Sequence, residues 1–246
     1  MVVRMKTILK TCDICGEPTL YSVDGYDIYC DCECQRKERV RLKLAKYKKL
    51  SITDRESGNN TFDNCEIVSE TDAKYLDKFK KYSQRFNEVL SENIGILMCG
   101  LPGTGKTYYA NCIANAIQEK GYTVLSFNLS GYLRKIKDDY SKQKDTVSEE
   151  EKLLLAVKEA DLLIIDDLGS EKLSDWGMEK VYNLIDERYK AAKPLIITTN
   201  LSKNGLEEHL MINNSNKLLD RIMGITKSFT FNWESRRKIK ETDIWD

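Results

Sequence analysis

Four short runs of nearly unbroken apolar residues, at 94–99, 123–127, 162–165 and 195–198, stand out along the chain. Around them apolar positions return at helical spacing, over 72–90, 106–119, 149–159 and 175–191. Runs of the first kind suit strands buried on both faces, and the second pattern suits helices that bury one stripe. Their alternation predicts an α/β fold, a doubly wound parallel sheet with helices on both faces. The first fifty residues read differently. Residues 1–35 are rich in cysteine and turn formers, and 35–50 form a basic stretch in which Val40, Leu44 and Tyr47 recur at helical spacing. Residues 51–61, SITDRESGNNT, have no apolar period and read as a linker. The expected organisation is a knuckle and basic helix over 1–50, a linker over 51–61 and the main domain over 62–246.

Composition narrows this picture. The 246 residues carry 39 Lys+Arg against 39 Asp+Glu, so no global charge points to nucleic acid or a membrane. The apolar runs fall far short of the roughly 20 residues of a membrane span, and the start, MVVRMKTILKTCDIC, lacks the apolar core of a secretory signal. A soluble, cytoplasmic protein with no membrane contact is expected. Of eight cysteines, five lie between Cys12 and Cys34. Clustered thiols in a chain without a secretory signal favour metal over disulfides. Cys12-x-x-Cys15 with a second close pair has the spacing of a four-thiolate zinc site, closed and therefore structural. Cys30, Cys32 and Cys34 offer three thiols for the two remaining places. Cys99 and Cys112 read as small core residues, and the lone histidine, His209, lies too far away to join the knuckle.

Chemistry enters most sharply at Gly100-Leu101-Pro102-Gly103-Thr104-Gly105-Lys106-Thr107, which fits G-x-x-x-x-G-K-[ST] between an expected strand and an expected helix. Glycines let the backbone curl so that amides point at an anion, and the helix N-terminus adds its positive end. Lys106 reaches the outer phosphates of ATP, Thr107 offers a hydroxyl to Mg²⁺, and Tyr108 completes the phosphate-binding set. The apolar run at 162–165 ends in Asp166 and Asp167. Asp166 is expected to hold Mg²⁺, and Asp167 to orient or deprotonate the attacking water. The run at 195–198 leads through Thr199 to Asn200, where strands of an open α/β sheet present ligand-binding groups. A helix carrying Tyr132, Arg134, Lys135 and Lys137 combines an aromatic with basic residues, a set suited to single-stranded DNA.

In this order the three strand ends resemble AAA+ ATPases, with Asn200 at the sensor 1 position. More narrowly, LLIIDDLGSEKLSDWGMEKVYNLIDERYKAAKPLIITTNLS, LLDRIMG and FNWESRRK resemble the DnaC/DnaI helicase loaders and the related IstB transposition helpers, over about 60–240. The resemblance implies that Arg221 is an arginine finger reaching a neighbouring subunit's ATP, so that the protein self-associates. It makes Arg237, with Arg236 adjacent, the sensor 2 candidate. Arg188 is a rival finger that reads instead as a structural ion pair. The C-E-C-Q-R run of similar loaders favours Cys32 and Cys34 as zinc ligands, with Cys30 the alternative. Asp167 stands where many AAA+ proteins carry Glu, and its shorter reach predicts slow turnover. The basic helix is either a solvated face or a docking element for a partner. By resemblance that partner is the hexameric replicative helicase, so the leading expectation is an ATP-switched loader that engages helicase and single-stranded DNA. The alternatives are an IstB-type helper of a transposase and a nucleotide-locked adaptor without hydrolysis; a small-molecule kinase would leave the arginines without a role.

Overall fold

The computed structural model describes residues 6–53, 57–140, 148–211 and 215–237. Contacts divide the chain into two units, Met1–Lys46 and Tyr47–Asp246. In the first, β1 (Lys6–Thr11), β2 (Pro18–Val23) and β3 (Tyr26–Tyr29) form an antiparallel sheet in chain order. Asp24 and Gly25, with φ of 51° and 84°, make the tight turn between β2 and β3. Positive φ at both positions matches the twist of a two-residue hairpin. Helix α1 (Glu33–Leu50) starts here and runs past the division.

The second unit holds α2 (Glu70–Gln84), α3 (Phe86–Glu92), β4 (Gly95–Gly100), α4 (Lys106–Glu119), β5 (Val124–Asn128), α5 (Leu129–Tyr140) and α6 (Glu149–Glu159). β6 (Leu162–Asp166), α7 (Asp175–Lys190), β7 (Leu195–Thr199), α8 (Lys203–Leu210), α9 (Lys217–Ile225) and β8 (Thr226–Phe231) complete it. The five strands are parallel in the order β5-β6-β7-β4-β8. Because side chains alternate along a strand, Leu97, Leu125, Phe127, Leu163, Ile165 and Ile197 share one core with α5, α6, α7 and α9. Ile96, Met98, Val124, Leu162, Ile164 and Ile196 share the other with α2, α3 and α4. The doubly wound sheet expected from the apolar runs is therefore present. The expected helix at 72–90 is two helices, broken at Arg85, whose φ of −101° and ψ of 32° leave the helical region.

Two expectations about the first sixty residues change. Tyr47 is buried at 1% exposure in the second unit's core, whereas Val40 of the same expected stripe is 41% exposed. The segment read as a linker begins with residues fixed to the sheet. Ile52 donates its N–H to the Ser126 carbonyl at 2.8 Å and accepts from the Asn128 N–H at 3.2 Å, as a parallel partner to Phe127 on the outer edge of β5.

Arg188 is structural, but not through an ion pair. Its side chain is fully buried, and its nitrogens donate to the carbonyls of Val157, Ala160, Asp161 and Pro194 at 2.7 to 3.1 Å. Tyr132 is corrected as a DNA contact: it is wholly buried and stacked on Phe127 at 4.8 Å, because it lies on the inward stripe of α5 with Leu129 and Ile136.

Candidate active site

The loop from β4 to α4 curls over itself with Gly100, Gly103 and Gly105 at φ of 137°, 77° and 100°, a region L side chains rarely adopt. It forms one wall of a cleft of about 650 Å³. Pro102, Gly103, Gly105, Lys106, Thr107 and Tyr108 line that wall; Asp166, Asp167, Thr198 and Asn200 face it from the ends of β6 and β7. These groups meet because strand ends of a parallel sheet open on the same side as the helix N-termini that follow them.

Hydrogen bonds connect the groups into one network. Lys106 Nζ donates to the carbonyls of Gly100 and Leu101 at 2.8 and 2.7 Å and to Asn200 Oδ1 at 2.8 Å. An ammonium can only donate, so the Asn200 amide must turn its oxygen to Lys106 and its NH₂ elsewhere. That NH₂ donates to Asp167 Oδ1 at 2.7 Å. Asp166 Oδ1 accepts from the Thr107 hydroxyl at 2.9 Å and from the Thr198 hydroxyl at 2.6 Å. Thr198 in turn accepts from the Asp167 N–H at 2.9 Å. Asp167 sits at φ 59°, a conformation Asp tolerates better than most side chains. Burial draws the Lys106 pKa down, while the carboxylates of Asp167 and Asp166 push it back up. Tyr108 donates its hydroxyl to the Thr61 carbonyl at 2.8 Å, and burial pushes its pKa up to about 12.

The adjacent arginines part company. Arg237 lines the cleft. Arg236 turns away and pairs with the fully buried Asp72 at 2.6 Å. Arg221, on α9, is not among the cleft's lining residues: it pairs with Asp186 at 2.9 Å, its guanidinium 4.8 Å from the Tyr182 ring centre. Arg134 of the expected DNA set lies on the cleft wall beside Asn128, Ser130 and Gly131. Sequence reasoning did not single out Thr198, Asn128 or Ser130 as site residues. Thr198 had a signal in the two threonines before Asn200, of which alternation must send one toward the β6 carboxylates.

In the first unit, Cys12, Cys15, Cys32 and Cys34 bring their sulfurs within 4.8 Å of one another. Individual separations are 3.3 Å for Cys12–Cys34, 3.1 Å for Cys32–Cys34 and 3.6 Å for Cys34–Cys15. Tetrahedral zinc at about 2.3 Å from each sulfur needs sulfurs just under 4 Å apart, so the set fits that ion. The Cys15 and Ile14 amides pull the Cys12 thiol down to about 6, toward the thiolate that metal binding requires. Cys30 stands outside the group, donating to the Pro18 carbonyl at 3.2 Å.

Comparison with known proteins follows the same lines. A family model described as IstB-like ATP binding protein matches residues 32–243. The replicative helicase loader DnaC of Buchnera aphidicola from Acyrthosiphon pisum is 28% identical over 181 residues, 73% of this chain and 70% of that protein. The replicative helicase loader DnaI of Bacillus subtilis is 24% identical over 93% of this chain and 79% of its own length. A crystal structure of the DnaC helicase loader superposes with a TM-score of 0.63 at 27% identity, covering 72% of this chain and 99% of that one. Among the described residues, no helix is long and apolar enough to cross a membrane.

Proposed function

The chain belongs to the IstB-like ATP-binding family, and on that premise we propose that it is an ATP-switched loader of a replicative DNA helicase. The observation that carries the reading is the network joining Lys106, Asn200, Asp167, Asp166, Thr198 and Thr107 at the strand ends. Lys106 and the loop amides would bind the phosphates, and Thr107 with Asp166 would hold Mg²⁺, which supplies charge neutralisation at the outer phosphates. Asp167, held by Asn200, would orient an attacking water, and its short side chain would make hydrolysis slow. Arg237 would stabilise charge developing on the outer phosphate from within the same chain. Arg221 would do so from a neighbour, which makes self-association part of the mechanism.

The four-cysteine group supports the second half of the reading. With zinc closing its coordination shell, Cys12, Cys15, Cys32 and Cys34 would pin the first unit as a compact module for gripping the helicase. Single-stranded DNA is the remaining partner, with Arg134 and Lys137 of α5 exposed and Lys135 paired with Glu149 at 3.7 Å. A cytoplasmic setting follows from this role. The relatives named as loaders favour it over a transposase helper.

Size-exclusion chromatography of the protein with the hexameric replicative helicase of its host, with and without ATP, tests the proposal. A stable complex whose lifetime depends on ATP is expected; no complex under either condition would sink it.

A further inference from the structure

The segment after β8 crosses the back of the phosphate-binding loop and holds it by the carbonyls. Gly103 O accepts from the Arg236 N–H at 2.9 Å, and Thr104 O accepts from Trp233 Nε1 at 3.0 Å. The contact is close: a Cβ on Gly100 would collide with the Phe231 carbonyl, and one on Gly103 with the Ser235 hydroxyl. In a planar trans peptide the C=O of one residue and the N–H of the next point in opposite directions. Tying Gly103 O and Thr104 O to this strap therefore aims the N–H groups of Thr104 and Gly105 away from it, toward the cleft that Gly103 and Gly105 line.

The strap is itself anchored. Arg236 pairs with Asp72 at 2.6 Å and donates to the Glu66 carbonyl at 2.7 Å. Asp72 is fully buried, accepts from the Tyr109 hydroxyl at 2.7 Å and sits in the first turn of α2. The Trp233 ring packs 4.8 Å from Phe231 and 5.9 Å from Tyr75.

We propose that Trp233 and Arg236 are positioning residues that orient the phosphate-binding amides of the loop from its far side. Neither touches nucleotide, and both act through peptide planes. This rests on the reading that the loop binds ATP, and it assigns a part of the affinity to residues outside the G-x-x-x-x-G-K-T motif.

Trp233→Phe keeps an aromatic ring beside Phe231 and Tyr75 and deletes the N–H together with the five-membered half of the indole. Binding of ATP, ADP and inorganic tripolyphosphate is measured by calorimetry well below the melting temperature. All three are expected to weaken by the same factor, about 3- to 10-fold for one lost hydrogen bond, while the nucleotide-free melting curve shows the protein folded at the temperature of measurement. Arg236→Gln keeps the main-chain N–H given to Gly103 O and removes the strap's anchor on Asp72, so a uniform loss no larger than that of Trp233→Phe is expected. Arg237→Ala is the contrast, since a group facing the outer phosphate weakens ATP more than ADP. Unchanged affinities in Trp233→Phe and Arg236→Gln, or a loss confined to ATP, overturn the proposal. Wild-type protein that binds ATP but no helicase overturns the functional reading alone and leaves this one standing.

Discussion

Arg188 and Asn200 show how differently two polar residues hold their places. Arg188 carries a buried charge whose pKa burial pulls down, offset by the carbonyls of four residues around it and by Asp161. Arg188→Leu strands those carbonyls, and a loss of roughly 3 to 5 kcal/mol is expected in denaturant titration. Asn200 bridges Lys106 and Asp167. Asn200→Ala should slow ATP turnover on the order of 100-fold, as loss of a positioned donor does, while ATP affinity moves little; affinity and turnover falling together would place Asn200 in binding instead. Lys106, Thr107 and Asp166 could be read from sequence because their motifs specify a backbone path as well as side chains. Only the resemblance separates Arg237 from Arg236 in the sequence, since identical neighbours differ in which way the chain turns; here Arg237 lines the cleft and Arg236 faces Asp72. Tyr132 misleads for the opposite reason: an aromatic beside basic residues suits a base-stacking platform, while its helical spacing with Leu129 and Ile136 places it inward.

At the scale of elements, the apolar runs marked β4, β5, β6 and β7, which are covered on both faces. β8, TKSFTF, was illegible because an edge strand with Lys227, Ser228 and Thr230 turned outward lacks a continuous apolar run. The opposite edge is covered by Ile52, which looked like part of a polar linker because a single bridge residue has no period to detect. Ile52→Pro removes the N–H given to Ser126 and should lower stability by about 1 to 2 kcal/mol. For a unit near 200 residues that is a fall of several degrees in Tm, readable by calorimetry. An unchanged Tm would mean that the bridge adds nothing to the sheet.

For the whole molecule, Arg221 is the informative residue, because it pairs with the buried Asp186 of its own chain and is absent from the lining of its own cleft. If it completes a neighbour's site, Lys106→Ala and Arg221→Ala subunits should each be nearly inactive alone. Mixed, they should recover a fraction of wild-type turnover, since some interfaces would pair an intact loop with an intact arginine; no recovery at any ratio would count against the shared site. A shared site also makes catalysis a matter of population. Diluting the protein should lower the rate per molecule and not merely the total rate, so the number of copies in a cell would decide whether ATP is consumed.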